Sequence, residues 1–182
     1  MKRKNSITTG VGDRGTTRLY SGEEVPKYSP RVEAVGTVDE AVSALGLARC
    51  FAARPETKAV LLRLQRAMFT VGSELATSPE RAAALPARVD AEAVRGLDAE
   101  RAALEARVAC PAGFILPGGT PGAAHLDHAR SVVRRCERVA ARLAAEGAFE
   151  NPQLLVWLNR LSDYLWLLAR DEEGASVLLK EP

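Results

Sequence analysis

Cysteine, histidine and aromatic residues are scarce in this chain of 182 residues. Cys50, Cys110 and Cys136 stand far apart, no Cys-x-x-Cys pair occurs, and there are only two histidines. An odd, scattered set of cysteines excludes a disulfide framework, and so few histidines exclude a Cys/His zinc site. The cysteines read as small core or surface residues, and a reducing cytoplasm is the expected location. No apolar run approaches the roughly 20 residues that span a bilayer. The basic start, Lys2-Arg3-Lys4, is followed by no apolar segment, so neither a membrane span nor a secretory signal is expected. Neither sign of charge dominates: the net charge is +2, and cations alternate with anions along most of the length. That balance argues against a dedicated nucleic-acid binder.

What is abundant is Ala, Leu and Arg, a composition that favours helix over strand. The length suits a single domain with a proper core. Residues 1–29 read as an irregular leader with a hairpin-like pattern, and residues 30–182 as one helical domain. Ser29 followed by Pro30 suits the start of a first helix, which ends near Arg54-Pro55; Val32, Val35, Val38, Val42 and Leu45 mark its apolar face. A second helix is expected from about Glu56 to Ala76, with Val60, Leu64, Met68, Val71 and Leu75 in steps of four and three. Residues 77–88 carry Pro79 and Pro86 and read as a loop. Asp90 suits the cap of a third helix with Val94, Leu97, Leu104 and Val108. The fourth, from about Ala123 to Glu146, carries Leu126, Ala129, Val133, Cys136, Ala140 and Leu143 at heptad-like spacing and stops at Gly147. Asn151-Pro152 opens the fifth, and Gly174 closes it. The expectation is an all-α chain, a five-helix up-and-down bundle behind an irregular leader.

Four features stand out from this background. The loop Thr9-Gly-Val-Gly-Asp-Arg-Gly-Thr-Thr17 is dense in glycine and hydroxyls, with Arg14 within it and Arg18 just after it. It suits either a flexible leader or a nest of N–H donors for an anion. Phe114-Ile-Leu-Pro-Gly-Gly119 reads as a turn that plugs the bundle or as the wall of an apolar pocket. Arg130, Arg134 and Glu137 share one stripe of the fourth helix, beside its apolar seam. That stripe is a solvated face or a phosphate clamp. The fifth helix is apolar nearly all round, and Asn159, Arg160, Ser162 and Asp163 interrupt it. A helix of that kind is expected to be buried, and its polar break needs an inter-helix network or a ligand. Together the glycine-rich loop, the arginine stripe and the polar break supply what a nucleotide triphosphate site needs, although the Gly-Lys-Ser/Thr ending of a P-loop is missing.

In these segments the chain resembles the PduO-type ATP:cob(I)alamin adenosyltransferases. The resemblance rests on Gly12-Asp-Arg-Gly-Thr-Thr17, Arg31-Val-Glu-Ala-Val-Gly-Thr-Val-Asp-Glu40, Phe114-Ile-Leu-Pro-Gly-Gly119 with Ala129-Arg130 to Arg138 behind it, and Asn159-Arg-Leu-Ser-Asp-Tyr164, in that order. It implies a homotrimer with active sites between neighbouring subunits. The implied reaction moves the 5′-deoxyadenosyl group of ATP to cob(I)alamin and releases triphosphate. ATP and cobalamin would be substrates, with Mg2+ held mainly by phosphate oxygens and water and no protein metal ligand. By match to the family motifs, Thr9, Gly12, Asp13, Gly15, Thr16, Thr17 and Lys27 fall on the nucleotide-binding leader. Arg134, Glu137 and Asn159, with Arg130, fall on the helical half. Asp39 and Arg130 match a pair used across the subunit interface, and Phe114 matches the aromatic on the lower axial side of cobalt. A flavin-type reductase and an adenosylcobalamin-dependent enzyme are the implied partners.

The chain departs from that pattern at two places. The family leader usually reads Thr-Lys-x-Gly-Asp, and here Gly10 stands in the lysine's place; Arg14, Lys27 or the basic start are the cations available to replace it. The family's fourth helix usually carries Leu-His before Ala-Arg, whereas here Asp127 follows Leu126 and His128 comes one position later. The replaced lysine leaves a second reading open, a trimeric helical module that binds nucleotide or corrinoid without turnover as a carrier or sensor.

Overall fold

In the computed structural model, which describes Thr8 and residues 10–180, proline stands at the first turn of four of the five α-helices. These are α1 (Pro30–Phe51), α2 (Pro55–Leu75), α4 (Pro121–Ala145) and α5 (Pro152–Glu173). The fifth is α3 (Ala91–Glu105). The ring presets the helical φ at a position whose N–H has no partner inside the helix. Side chains cap the starts of α1, α3, α4 and α5: Ser29 accepts from Val32 N–H at 3.4 Å, Asp90 from Ala93 N–H at 2.8 Å, Thr120 from Ala123 N–H at 3.2 Å, and Asn151 from Gln153 N–H at 3.1 Å. Each such cap contributes about 1 kcal/mol. Gly147 and Gly174 follow α4 and α5 at φ 70° and 72°, the left-handed geometry that ends a helix.

The helices alternate in direction along the chain. The ring of Phe51 at the end of α1 meets His125 at the start of α4, with centroids 4.6 Å apart, so these two run antiparallel. Helix α3 is the outermost. Its Asp98 pairs with Arg160 of α5, its Glu100 accepts from Tyr164, and Arg107 just beyond it pairs with Asp171. Residue numbers rise together on both helices, so α3 and α5 are parallel, as alternate members of an up-and-down bundle must be. Helix α1 packs between α2 and α4, and α5 between α4 and α3.

Burial follows the expected stripes on α2, α4 and α5. Leu64, Met68, Val71, Leu126, Val133, Cys136, Leu158 and Leu165 are all fully enclosed. Helix α1 differs. The small residues Ala34, Ala41, Ala44 and Ala48 face the core with Val38 and Leu45, which lets α1 approach its neighbours closely. Val32, Val35 and Val42, expected on the core face, instead line a groove open to the surface.

Two polar pins hold the loops. Arg31 Nη1 donates to Leu75 O and Thr77 O, both at 2.8 Å, and its Nη2 donates to Ala148 O. The start of α1 is thereby tied to the end of α2 and to the α4–α5 connection. Glu74 is buried and accepts from Val89 N–H at 2.5 Å, Asn151 Nδ2 at 2.8 Å and Arg88 Nε at 3.2 Å. It fixes the connection between α2 and α3, where a short 3-10 helix, Pro79–Ala84, occupies part of the expected loop.

Two small antiparallel ladders complete the described residues. Strand β1 (Thr16–Arg18) pairs with β2 (Glu24–Pro26), with Thr17 opposite Val25, which makes the leader a true hairpin. Strand β3 (Ile115–Leu116) pairs with β4 (Val177–Leu178). No helix among the described residues is long and apolar enough to cross a membrane.

Candidate active site

The leader loop is shaped by two consecutive turns. Asp13 N–H donates to Gly10 O and Gly15 N–H to Gly12 O, each at 3.2 Å. Gly10 and Gly15 take φ of 69° and 82°, which side chains disfavour. Lys27 N–H then donates to Gly15 O at 2.9 Å and closes the loop against the strand beyond. The Lys27 side chain folds back over the loop. A Cβ added at Gly12 would stand 3.0 Å from Lys27 Nζ and 3.3 Å from Thr16 O, so glycine gives the ammonium its close approach to the loop. A recess of about 370 Å³ opens beside it, lined by Val11, Gly12, Thr16, Thr17, Arg18 and Glu24. The structure thus brings Gly12, Asp13, Gly15, Thr16, Thr17 and Lys27 together. Thr9 lies outside the described residues.

Asp39 sits on α1, exposed, in a groove of about 440 Å³ that it shares with Thr17, Val35, Val42, Tyr20 and Phe69. It therefore adjoins the leader. Tyr20 and Phe69 are 66% and 68% exposed, so this groove leaves a substantial apolar surface uncovered on a single chain.

The other candidate residues lie on α4 and α5 and, for Phe114, in the connection just before β3. Phe114 is 85% exposed and caps a chamber of about 380 Å³ walled by Ile115, Pro117, Asp127, Arg130 and Trp166. Leu179 N–H donates to Phe114 O at 2.8 Å, so the β3–β4 pairing holds the Phe114 backbone in place. Arg134 lies one turn beyond Arg130, is exposed, and forms no ion pair among the described residues. Its carbonyl accepts from Arg138 Nη1 at 3.1 Å. Glu137 accepts from Asn159 Nδ2 at 3.2 Å. The polar break of α5 is thus part of a network: Arg160 Nη1 donates to Asn159 Oδ1 at 3.0 Å, Arg160 pairs with Asp98, and Ser162 donates to Asn159 O at 2.9 Å.

The candidate residues therefore form two clusters. Among the described residues no hydrogen bond or ion pair links the leader cluster to Arg130, Arg134, Glu137 or Asn159. Asp39 and Arg130 do not pair within the chain; the carboxylate beside Arg130 is that of Asp127, at 3.6 Å. No group of three His, Cys, Asp or Glu side chains among the described residues could hold a metal ion.

Two neighbours of the chamber, Trp166 and Arg170, escaped the sequence reading, and a third, Asp127, was read there only as a departure from the family motif. Asp127 is buried while His128 is exposed, so it is the aspartate that points inward from the altered motif. Arg170, 1% exposed at its side chain, donates to Asp127 Oδ2 at 2.6 Å and lies 5.4 Å over the Trp166 ring. The Asp127–Arg130 spacing of three was visible as a helical ion pair, but the Arg170 contact spans 43 residues.

The family model described as cobalamin adenosyltransferase matches residues 7–172. The corrinoid adenosyltransferase PduO of Citrobacter freundii is 39% identical over 92% of this chain, which spans about half of that relative's length. A cobalamin adenosyltransferase of Cupriavidus metallidurans is 41% identical, covering 92% of this chain and 88% of its own. A variant PduO-type ATP:corrinoid adenosyltransferase from Lactobacillus reuteri, solved with cobalamin and ATP, superposes with a TM-score of 0.87 at 30% identity, over 96% of this chain and 97% of that one. Motifs, bundle and comparisons agree that the chain belongs to the cobalamin adenosyltransferase family.

Proposed function

We propose that this protein transfers the 5′-deoxyadenosyl group of ATP to cob(I)alamin, forming adenosylcobalamin and releasing triphosphate. The observation that carries this reading is the division of the site residues into two clusters that do not meet within one chain. An anion-binding leader and an arginine-bearing helical face complete one another when the leader of one subunit meets α4 and α5 of the next. A homotrimer provides that junction, and the uncovered groove of Val35, Val42, Tyr20 and Phe69 supplies apolar surface for it. Asp39, exposed beside the leader, would reach Arg130 of the neighbouring subunit.

The chemistry asks little of general acids or bases. The cobalt(I) electron pair forms the Co–C bond at the 5′ carbon of ATP. The C–O bond breaks, and its electrons leave with the triphosphate. The protein's share is orientation and stabilisation of that departing charge. Lys27, the loop N–H groups of Gly12 to Thr17 and Arg134 serve the phosphates. Glu137 and Asn159, already joined to one another, face the nucleoside. Phe114 walls off the lower axial side of cobalt, excludes the dimethylbenzimidazole ligand and favours a four-coordinate cob(II)alamin that is easier to reduce. Magnesium would arrive on the triphosphate, whose oxygens are the hard donors that ion prefers. A cytoplasmic setting, a flavin-type reductase that supplies cob(I)alamin and an enzyme that consumes adenosylcobalamin complete the reading.

Gly10, in the place of the family lysine, favours the second reading, a carrier or sensor that binds without turnover. The position of the Lys27 ammonium against Gly12 supports the enzyme, because it supplies a cation to the loop. Anaerobic incubation with ATP and chemically reduced cobalamin separates the two. Loss of the cob(I)alamin absorbance with formation of adenosylcobalamin and triphosphate is expected; binding of both ligands without conversion would overturn the enzyme.

A further inference from the structure

Beneath the Phe114 chamber four charged side chains form a line from the end of α5 to Arg130. Glu173 Oε1 lies 2.7 Å from Arg170 Nε, and Arg170 Nη2 donates to Asp127 Oδ2 at 2.6 Å. Asp127 Oδ1 lies 3.6 Å from Arg130 Nε. Two carboxylates and two guanidinium groups make a balanced set, the arrangement that buried charges require. The line becomes more exposed toward the site. The Arg170 and Glu173 side chains are each 1% exposed and that of Asp127 is 6%, but that of Arg130 is 30% and borders the chamber.

The junction between Asp127 and Arg130 is unfinished. Asp127 Oδ1 and Arg130 Nε are both buried, and neither has a hydrogen-bond partner, which is also true of Arg170 Nε, Arg170 Nη1 and Glu173 Oε2 deeper in the line. Closing their gap by about 0.6 Å gives an ordinary charge-assisted hydrogen bond. The two oxygens of Asp127 have separate tasks: Oδ2 is held by Arg170, and Oδ1 faces Arg130 alone. Arg170 does not depend on Asp127 for neutralisation, because Glu173 already pairs with it.

We propose that Asp127 is a positioning residue for Arg130: its carboxylate, locked by Arg170, fixes the guanidinium at Nε and leaves both Nη groups directed to the substrate side. This rests on the reading of Arg130 as a residue that meets Asp39 of the neighbouring subunit and borders the Phe114 chamber. The rim arginine is thereby held from behind by a carboxylate on its own helix, one turn back, and ligand or neighbouring-subunit contacts complete the hydrogen bond.

The test is a double-mutant cycle on the trimeric protein, with cob(I)alamin and ATP varied separately. Asp127→Asn keeps an oxygen for Arg170 and removes the charge that faces Arg130. It is expected to lower kcat/KM for cob(I)alamin about tenfold or more, with KM for ATP within about twofold of wild type. The double variant Asp127→Asn/Arg130→Ala should be no worse than Arg130→Ala alone, because Asp127 acts only through Arg130. Losses that multiply, or an unaffected Asp127→Asn beside an impaired Arg130→Ala, overturn the positioning role. An unimpaired Arg130→Ala overturns the reading of Arg130 itself and the positioning role with it. A wild-type chain without turnover overturns the enzyme reading first. Should Asp127→Asn fold poorly, Arg130→Lys carries the test: lysine keeps the charge but has no Nε–H, so activity as low as that of Arg130→Ala is expected, and near-wild-type activity overturns the proposal.

Discussion

Lys27 Nζ packs against the backbone of Gly12, so closely that a Cβ at position 12 would stand 3.0 Å from it. The contact links the turn just beyond β2 to the loop that departs from the family pattern at Gly10. Gly12→Ala must displace either the ammonium or the turn, because Thr16 O blocks the other direction at 3.3 Å. KM for ATP should rise about tenfold in Gly12→Ala and at least as much in Lys27→Ala, with little change in melting temperature. An unchanged KM for ATP in Lys27→Ala would show that the loop does not rely on this cation.

Arg134 is exposed, and among the described residues its guanidinium has no carboxylate partner. Arg134→Ala therefore removes a charge available to a ligand without stranding another. The trimer should survive on a sizing column, while kcat/KM for ATP falls by about tenfold to a hundredfold. Equal rates at limiting ATP would remove Arg134 from the phosphate site.

Phe114 reaches its position through the backbone, by way of Leu179 N–H and the β3–β4 pairing. Phe114→Ala should slow turnover from cob(II)alamin much more than turnover from cob(I)alamin reduced beforehand. Removal of residues 177–182 should shift the same ratio in the same direction, by loosening the loop. Equal losses with both corrinoids would assign Phe114 to packing alone.

These elements differ in how far the sequence exposed them. Ser29, Asp90 and Asn151 were legible as caps because capping is local chemistry. The stripe on α4 was legible because its heptad-like spacing faces one seam. Helix α1 misled, since it carries two apolar stripes; periodicity finds both but cannot tell that the alanines meet a helix and the valines an open groove. The β3–β4 ladder, with two residues in each strand, left no pattern to read. The clustering of Gly12 with Thr17 could be anticipated because those residues are neighbours in sequence. The hold of Arg170 on Asp127 depends on the packing of α5 against α4, which only the folded chain reveals.

Alkaline stability follows from two buried acids. Burial pushes the Cys136 thiol from 9.0 to about 11, and burial with the Glu100 carboxylate pushes Tyr164 from 10.0 to about 12. Both are raised on folding, so their contribution is complete below about pH 9 and is lost as pH rises through 11 and then 12. The denaturant midpoint should fall from pH 9 upward. Tyr164→Phe should flatten the upper part of that fall and cost about 1 kcal/mol or less at neutral pH, because Glu100 retains Arg63. A Tyr164→Phe profile as steep as wild type up to pH 12 would contradict this.

Arg31 gives the molecule a division of labour. One guanidinium gathers the ends of α2 and of the α4–α5 connection onto the start of α1, only two residues after Ser29 closes the leader. Among the described residues upstream of that knot, none belongs to the buried core of the bundle. The leader can therefore vary its phosphate-facing residues, as at Gly10, while the bundle keeps its shape, so adaptation to a different nucleotide can proceed one loop residue at a time.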